Sequence, residues 1–284
     1  MNLRWNALLV PTLLISVLLL GASQYAFLQG SFFRDLPFGR SGTDFEFTNY
    51  IKIFTDPFYL NALWLTVETS AIAALLTLLM GFPVAYVIAR MRSRLASLML
   101  AGVVVATFVT IVIKVYGIMV IFGANGGLNR LLLWAGLITE PYSPLGTVTG
   151  VVIGLMHFTL GFGVVLLYSI VHTIPRSFEE AAQIHGASRL RVFTRVVLPL
   201  CLPGLIAGGL MVFNMCMGAF TSAALLGGGR IFTLPVLIQR TVIMETKYGM
   251  GGALSAVLLI AALLINLLSI VLLRRLRSAR QVLA

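Results

Sequence analysis

The sequence predicts an all-α, polytopic membrane protein with six transmembrane helices. Composition, the spacing of apolar stretches and the placement of basic residues all point there. Of 284 residues, 59% are hydrophobic and 10% charged, and the mean hydropathy is +1.01. Soluble domains carry about 25% charged residues, so this apolar surface belongs against lipid. The net charge of +11 falls in short runs between apolar stretches rather than on a basic face interleaved with aromatics. That pattern favours a bilayer over nucleic acid as partner.

The first apolar stretch, 7–29, follows Arg4 and runs on past Gly21-Ala22-Ser23, which could mimic a cleavage site, to about Leu28. It is longer than the core of a signal peptide and is read as an uncleaved first span. Five more follow at 60–89, 97–122, 147–172, 197–222 and 250–273. The second is too long to cross upright and should tilt or project beyond the lipid. Each should be helical, because backbone polar groups in lipid must be satisfied within the segment. No strand pattern is evident. Cys201 and Cys216 fall on one predicted helix, about 22 Å apart at 1.5 Å per residue, too far to bridge.

Orientation follows from Lys and Arg. One set of flanks carries Arg4, Arg90, Arg92, Arg94, Arg176, Arg189, Arg191, Arg195, Arg274, Arg275, Arg277 and Arg280. The opposite loops, though longer, hold only Arg34, Arg40, Lys52, Arg130, Arg230, Arg240 and Lys247. The first set is expected inside, which puts both termini in the cytoplasm. The outer loops are then 30–59, 123–146 and 223–249, with aromatics such as Tyr50, Phe54, Tyr59 and Trp64 near span ends, as in a membrane-interface belt.

One inner segment is polar in detail. Residues 177–199 read SFEEAAQIHGASRLRVFTRVVLP. Ser177 and Glu180 have the spacing of a capping box, and Phe178, Ala181 and Ala182 make a small apolar face. Gly186 stands where a helix ends on a left-handed residue, Ser188 can cap a second helix, and Pro199 marks a kink or restart. The segment reads as helix, glycine turn, helix.

Glu180-Ala181-Ala182, then Gly186, Val196 and Leu198-Pro199, resembles the EAA signature of membrane subunits of ATP-binding-cassette importers. The resemblance implies a type I ABC importer permease fold. It also implies that segment 173–198 is a cytoplasmic coupling loop docking into a separate ATPase. Glu180 then has two possible roles, helix cap or ATPase contact. The chain divides as 1–59 (first helix and outer loop), 60–273 (permease core) and 274–284 (basic tail). Asn49-Tyr50, Gly81-Phe82-Pro83, Lys114-Val115-Tyr116-Gly117, Gly126-Gly127-Leu128-Asn129 and Gly218-Ala219-Phe220 are similar to the spermidine/putrescine-type subgroup. Leu160-Gly161-Phe162 stands where relatives often have Leu-Pro-Phe, which puts a proline kink in the fourth span in doubt.

The resemblance implies an importer of a small polar or charged solute, polyamine-type or related, working by alternating access. Its expected partners are a homologous second permease subunit, two ABC ATPase subunits that bind ATP and Mg, and an extracytoplasmic solute-binding protein. The chain itself shows no GxxxxGK[ST] run, HExxH or CxxC motif, so no nucleotide, metal or catalytic site is expected in it. The alternative is an ion-coupled carrier or channel, which needs several intramembrane acids or polar rings. Only Glu68 and Lys114 are offered, and these either pair or line the translocation path. His157 is packed or pore-lining. Gly150/Gly154 and Gly204/Gly208 suit close helix contact, within this subunit or between subunits.

Overall fold

The computed structural model describes residues 3–282, with side chains from residue 10 to residue 271 other than Ser41. The basic tail's side chains and Arg4 therefore lie outside the described residues. Among the described residues, six helices are long and apolar enough to cross a membrane. They are Val10–Gly30, Pro57–Arg90, Ile111–Trp134, Val148–His172, Arg189–Met217 and Tyr248–Val271. The chain clusters into two compact units, Met1–Leu63 with Leu234–Ala284, and Trp64–Thr233.

The first unit holds α1 (Leu3–Gly30), β1 (Phe33–Leu36), β2 (Arg40–Phe45) and α2 (Thr48–Thr55). The strands pair antiparallel across a turn at Pro37–Gly39, which corrects the expectation of no strand. Phe38 takes φ 63 at the turn, and its side chain is almost wholly exposed. Phe32 stacks on Phe45 at 4.7 Å, and Phe47 and Tyr50 close around it. Asn49 Nδ2 donates to the carbonyls of Ser31 and Phe33 and ties α2 to the hairpin.

What was read as a plain outer loop at 223–249 carries more structure than expected. In this unit it forms α12 (Leu234–Gln239) and a wide turn at Arg240–Met244, ahead of α13 (Tyr248–Val282). The Asp35 carboxylate accepts the amide N–H of Gly249 at 2.7 Å and of Met250 at 2.8 Å. These are free amides in the first turn of α13, where a negative charge also meets the positive helix end. The Lys247 ammonium, bonded to the Glu245 carboxylate at 2.8 Å, holds that carboxyl below its ordinary range.

The helix α3 (Pro57–Arg90) contributes residues to both units. Its 34 residues make about 51 Å at 1.5 Å per residue, longer than a hydrocarbon core of about 30 Å, as the sequence suggests. The second unit adds α4 (Arg94–Phe108), α5 (Ile111–Phe122), α6 (Gly127–Trp134) and α7 (Val148–His172). It also holds α8 (Ser177–Ile184), α9 (Arg189–Val192), α10 (Leu198–Met217) and α11 (Thr221–Leu226). The helix α7 is its axle, packed by α4, α5, α10 and α11.

Here the expected third span, 97–122, is corrected. It is two helices, interrupted at Val109 and Thr110, whose ψ values of 132 and 143 are extended. By contrast α7 runs unbroken through Leu160-Gly161-Phe162. The glycine pairs serve packing inside the chain. A Cβ at Gly204 or Gly208 would meet Ile170 or Leu166 of α7, and one at Gly154 would meet Leu226 of α11. Asn129, buried, fastens the segment after α5. It donates to the carbonyls of Gly123 and Tyr142 and accepts the Tyr142 amide.

Candidate functional site

The polar segment is built as a helix, a glycine turn and a second helix, with two changes from expectation. Arg176 is itself helical (φ −64, ψ −24) and takes the N-cap position without a side-chain hydrogen bond. Ser177 therefore lies inside the first turn, and the expected capping box does not form. Glu180 is exposed, so of its two roles the cap is removed.

The end of α8 matches the reading. Gly186 has φ +80, its amide donates to Gln183 O, and the Ala187 amide reaches back to Ala182 O. Those two bonds define a Schellman ending, which needs a left-handed residue at the glycine. Ser188 Oγ accepts the Arg191 amide and caps α9. A wide π turn at Phe193–Val197 then leads into α10, with Leu198 N bonded to Phe193 O. Pro199 sits directly after that turn, where its ring would otherwise collide with the preceding turn.

The segment's signature residues divide by face. Ala182, Val196 and Leu198 pack against a core of Phe82, Ala85, Val164, Leu167, Val192 and Val197. Glu180, Ala181, Gly186 and Pro199 are exposed. The inward face of α8 is thus Glu179 with Ala182, three residues apart, rather than Phe178 with Ala181.

Glu179 is the residue the sequence reading missed. Its side chain is 9% exposed, and among the described residues it is the only buried charged group. Arg90 Nε pairs with Glu179 Oε1, and Tyr86 Oη donates to Oε2 at 2.8 Å. Arg90 Nη2 also donates to Ile174 O, and Arg176 Nη2 to Ala89 O, at 3.1 and 3.2 Å. A signal existed. Tyr86 and Arg90 are four apart and share one face of α3, opposite two adjacent acids. What it lacked was the phase of α8.

Lys114 and Glu68 form no ion pair among the described residues. Lys114 Nζ donates to Thr107 O at 3.3 Å, supplying one of the carbonyls freed where α4 stops. It lines a cavity of about 460 Å³ with His157 and apolar groups including Met80, Val84, Val109 and Leu160. Gly161 lies in its wall, and a Cβ there would strike Thr107 Oγ1 at 2.5 Å. Glycine at 161 thus lets α7 approach the broken end of α4. Glu68 is exposed on α3.

The model of one protein family, described as the binding-protein-dependent transport system inner membrane component, matches residues 81–281. The chain belongs to this family. The permease is 34% identical over 207 residues to the spermidine/putrescine transport system permease protein PotB of Haemophilus influenzae. That match covers 73% of this chain and 72% of the relative. It is 33% identical over 216 residues to PotB of Escherichia coli K12, covering 76% and 78%. It is also 29% identical over 227 residues to the molybdenum transport system permease protein ModB of Mycobacterium tuberculosis, covering 78% and 83%.

Among solved structures, a bacterial ABC transporter involved in import of the acidic polysaccharide alginate superposes with TM-score 0.79. The match covers 96% of this chain and 95% of that one at 20% identity. The MetNI methionine ABC transporter superposes with TM-score 0.59, over 78% and 98%, at 17% identity. At those identities the likeness shows the fold, that of ABC importer permeases. The chain is a multi-pass inner-membrane permease of a binding-protein-dependent importer, and ATP hydrolysis belongs to separate subunits.

Proposed function

We propose that the permease imports a small polar or charged solute of polyamine type by alternating access. In this reading, residues 173–198 are the cytoplasmic loop through which two ABC ATPase subunits, binding ATP and Mg, drive it. Both termini are then cytoplasmic. Residues 60–273 form the core, 1–59 a preceding helix and outer loop, and 274–284 a basic tail. A homologous second permease completes the pore, and an extracytoplasmic binding protein delivers the solute. The names of the PotB relatives support the solute class.

One observation carries the docking assignment. Phe178 and Ile184 of α8 are 52% and 84% exposed outside the spans, and Leu190, at the start of the span Arg189–Met217, is 73% exposed. Large apolar side chains exposed on such a segment suit a protein that covers them. They stand beside exposed Glu180, which is free to meet a cation of the ATPase. Of the two intramembrane charges, Glu68 suits a solute ammonium. Lys114 faces its cavity as a cation and suits an anionic group, or the α4 carbonyl it already holds.

The test is accessibility with co-purification. Cysteines at Thr43 and Glu140 label from outside intact cells, whereas one at Ser188 labels only from inside; both native cysteines are buried. Glu180→Lys with Ile184→Asp lowers recovery of the ATPase on a tagged permease. External labelling at Ser188, or full ATPase recovery with that double variant, overturns the assignment.

A further inference from the structure

We infer that Glu179, with Arg90 and Tyr86, is the strut that makes α8 and the adjoining end of α3 move as one body. It is thus a positioning residue of the coupling step, distinct from the exposed residues that touch the ATPase. The inference rests on the docking assignment above.

The connection from α7 to α8 is short and carries little. After His172 come Thr173, Ile174 and Pro175, and Pro175 has no amide to extend a helix across the joint. Without a second anchor, a push on α8 would bend this joint and be lost. The second anchor is polar and made at four points. Glu179 takes one bond from Arg90 and one from Tyr86. Arg90 adds a bond to Ile174 O in the joint itself, and Arg176 adds one to Ala89 O in the last turn of α3. Both strands of the connection, joint and helix, are thereby fastened to α3.

The chemistry fits a strut better than a generic packing contact. A buried ion pair gives little net stability over apolar packing, yet breaking it on one side is costly because a buried charge is stranded. The contact therefore resists separation more than it stabilises the fold. It is also directional: Arg90 Nε and Tyr86 Oη occupy different carboxylate oxygens, fixing the rotation of α8 about its own axis. Ala182, on the same face as Glu179, packs into the core beside them. The cargo of the strut is α3, whose membrane portion carries buried Thr66, Thr69, Ser70 and Thr77 and exposed Glu68. Thr77 is hydrogen-bonded to Thr159 of α7 at 2.9 Å. A displacement of α8 is thus delivered to the helix that bears the candidate solute contact.

The experiment uses the whole reconstituted importer, with its ATPase, second permease and binding protein. It measures solute imported per ATP hydrolysed, normalised to ATPase recovered on the tagged permease. Glu179→Gln should reduce solute per ATP by about tenfold, because Arg90 loses its charged partner, while ATPase recovery holds. Tyr86→Phe keeps the ion pair and frees one rotation, so a smaller loss of about twofold to threefold is expected. Exchange of the charges, Arg90→Glu with Glu179→Arg, should recover most of the ratio that either single reversal loses.

A wild-type ratio in Glu179→Gln, at equal ATPase recovery, overturns the strut. If Glu179→Gln fails to assemble, Tyr86→Phe and the exchange decide. An exchange that restores assembly without restoring the ratio shows a purely structural pair and also overturns it. The docking reading fails separately, through unchanged ATPase recovery in the Glu180→Lys, Ile184→Asp variant.

Discussion

Replacing Gly186 by alanine isolates the backbone of the elbow. The residue sits at φ +80, and a Cβ built there meets no atom within 4 Å. Alanine therefore brings no clash inside the chain, only the cost of holding an L-residue in the left-handed region. That cost is about 1–2 kcal/mol, and about 1.4 kcal/mol is a factor of ten in an equilibrium. The two Schellman bonds, Gly186 N to Gln183 O and Ala187 N to Ala182 O, must be surrendered if the residue leaves that region. Asparagine tolerates the left-handed region far better than alanine, and valine tolerates it worst. The expected order of binding-protein-stimulated ATP hydrolysis is glycine, asparagine, alanine, valine, with alanine down about tenfold at limiting ATPase. The assay is ATP hydrolysis titrated against ATPase subunit, which separates weakened docking from slow turnover. If asparagine is as damaging as alanine, or alanine is fully active, backbone conformation is not what the glycine supplies.

Three further outcomes are expected. Lys114→Met removes the ammonium from Thr107 O, a charge-assisted bond worth about 1.5–3 kcal/mol, and should lower thermal stability and uptake. Glu68→Gln acts separately, so the two losses should add within about 0.5 kcal/mol, and exchanging the charges should not rescue; rescue would restore the ion pair as the explanation. Asp35→Ala strips the α13 cap and should cost about 1–2 kcal/mol in thermal denaturation of the solubilised permease, with Asp35→Asn in between. An unchanged melting temperature for Asp35→Ala refutes the capping role.

Residues that act locally were legible in the sequence. Gly186 and Ser188 end and start helices through their own backbones and neighbours, so spacing alone located the elbow. Hydropathy located six spans, because lipid exposure is a property of side-chain composition. It did not see the break at Val109 and Thr110, since hydropathy takes no account of backbone conformation and neither residue is proline or glycine. The hairpin was hidden because strands of four and six residues give too little alternation, and their pairing is a relation between segments. Glu179 and Glu180 are chemically identical in the sequence. Only the rotation of α8 against Tyr86 and Arg90 decides which one is buried, and that rotation is a tertiary fact. The capping box failed for a related reason: Arg176 is drawn into the helix, bonded to Ala89 O, and shifts the start by one residue.

The bond from Asp35 to the start of α13 spans 214 positions of sequence. During synthesis the hairpin emerges after the first span, long before the amides of Gly249 and Met250 exist. Until the sixth span is in place, the bonds between the carboxylate and those amides are unmade. The first extramembrane loop therefore reaches its final hydrogen bonding only when α13 arrives beside it. A chain stalled before Tyr248 keeps a hairpin held to α2 through Asn49 but without its tie to α13. The arrival of α13 is in this way registered at the hairpin.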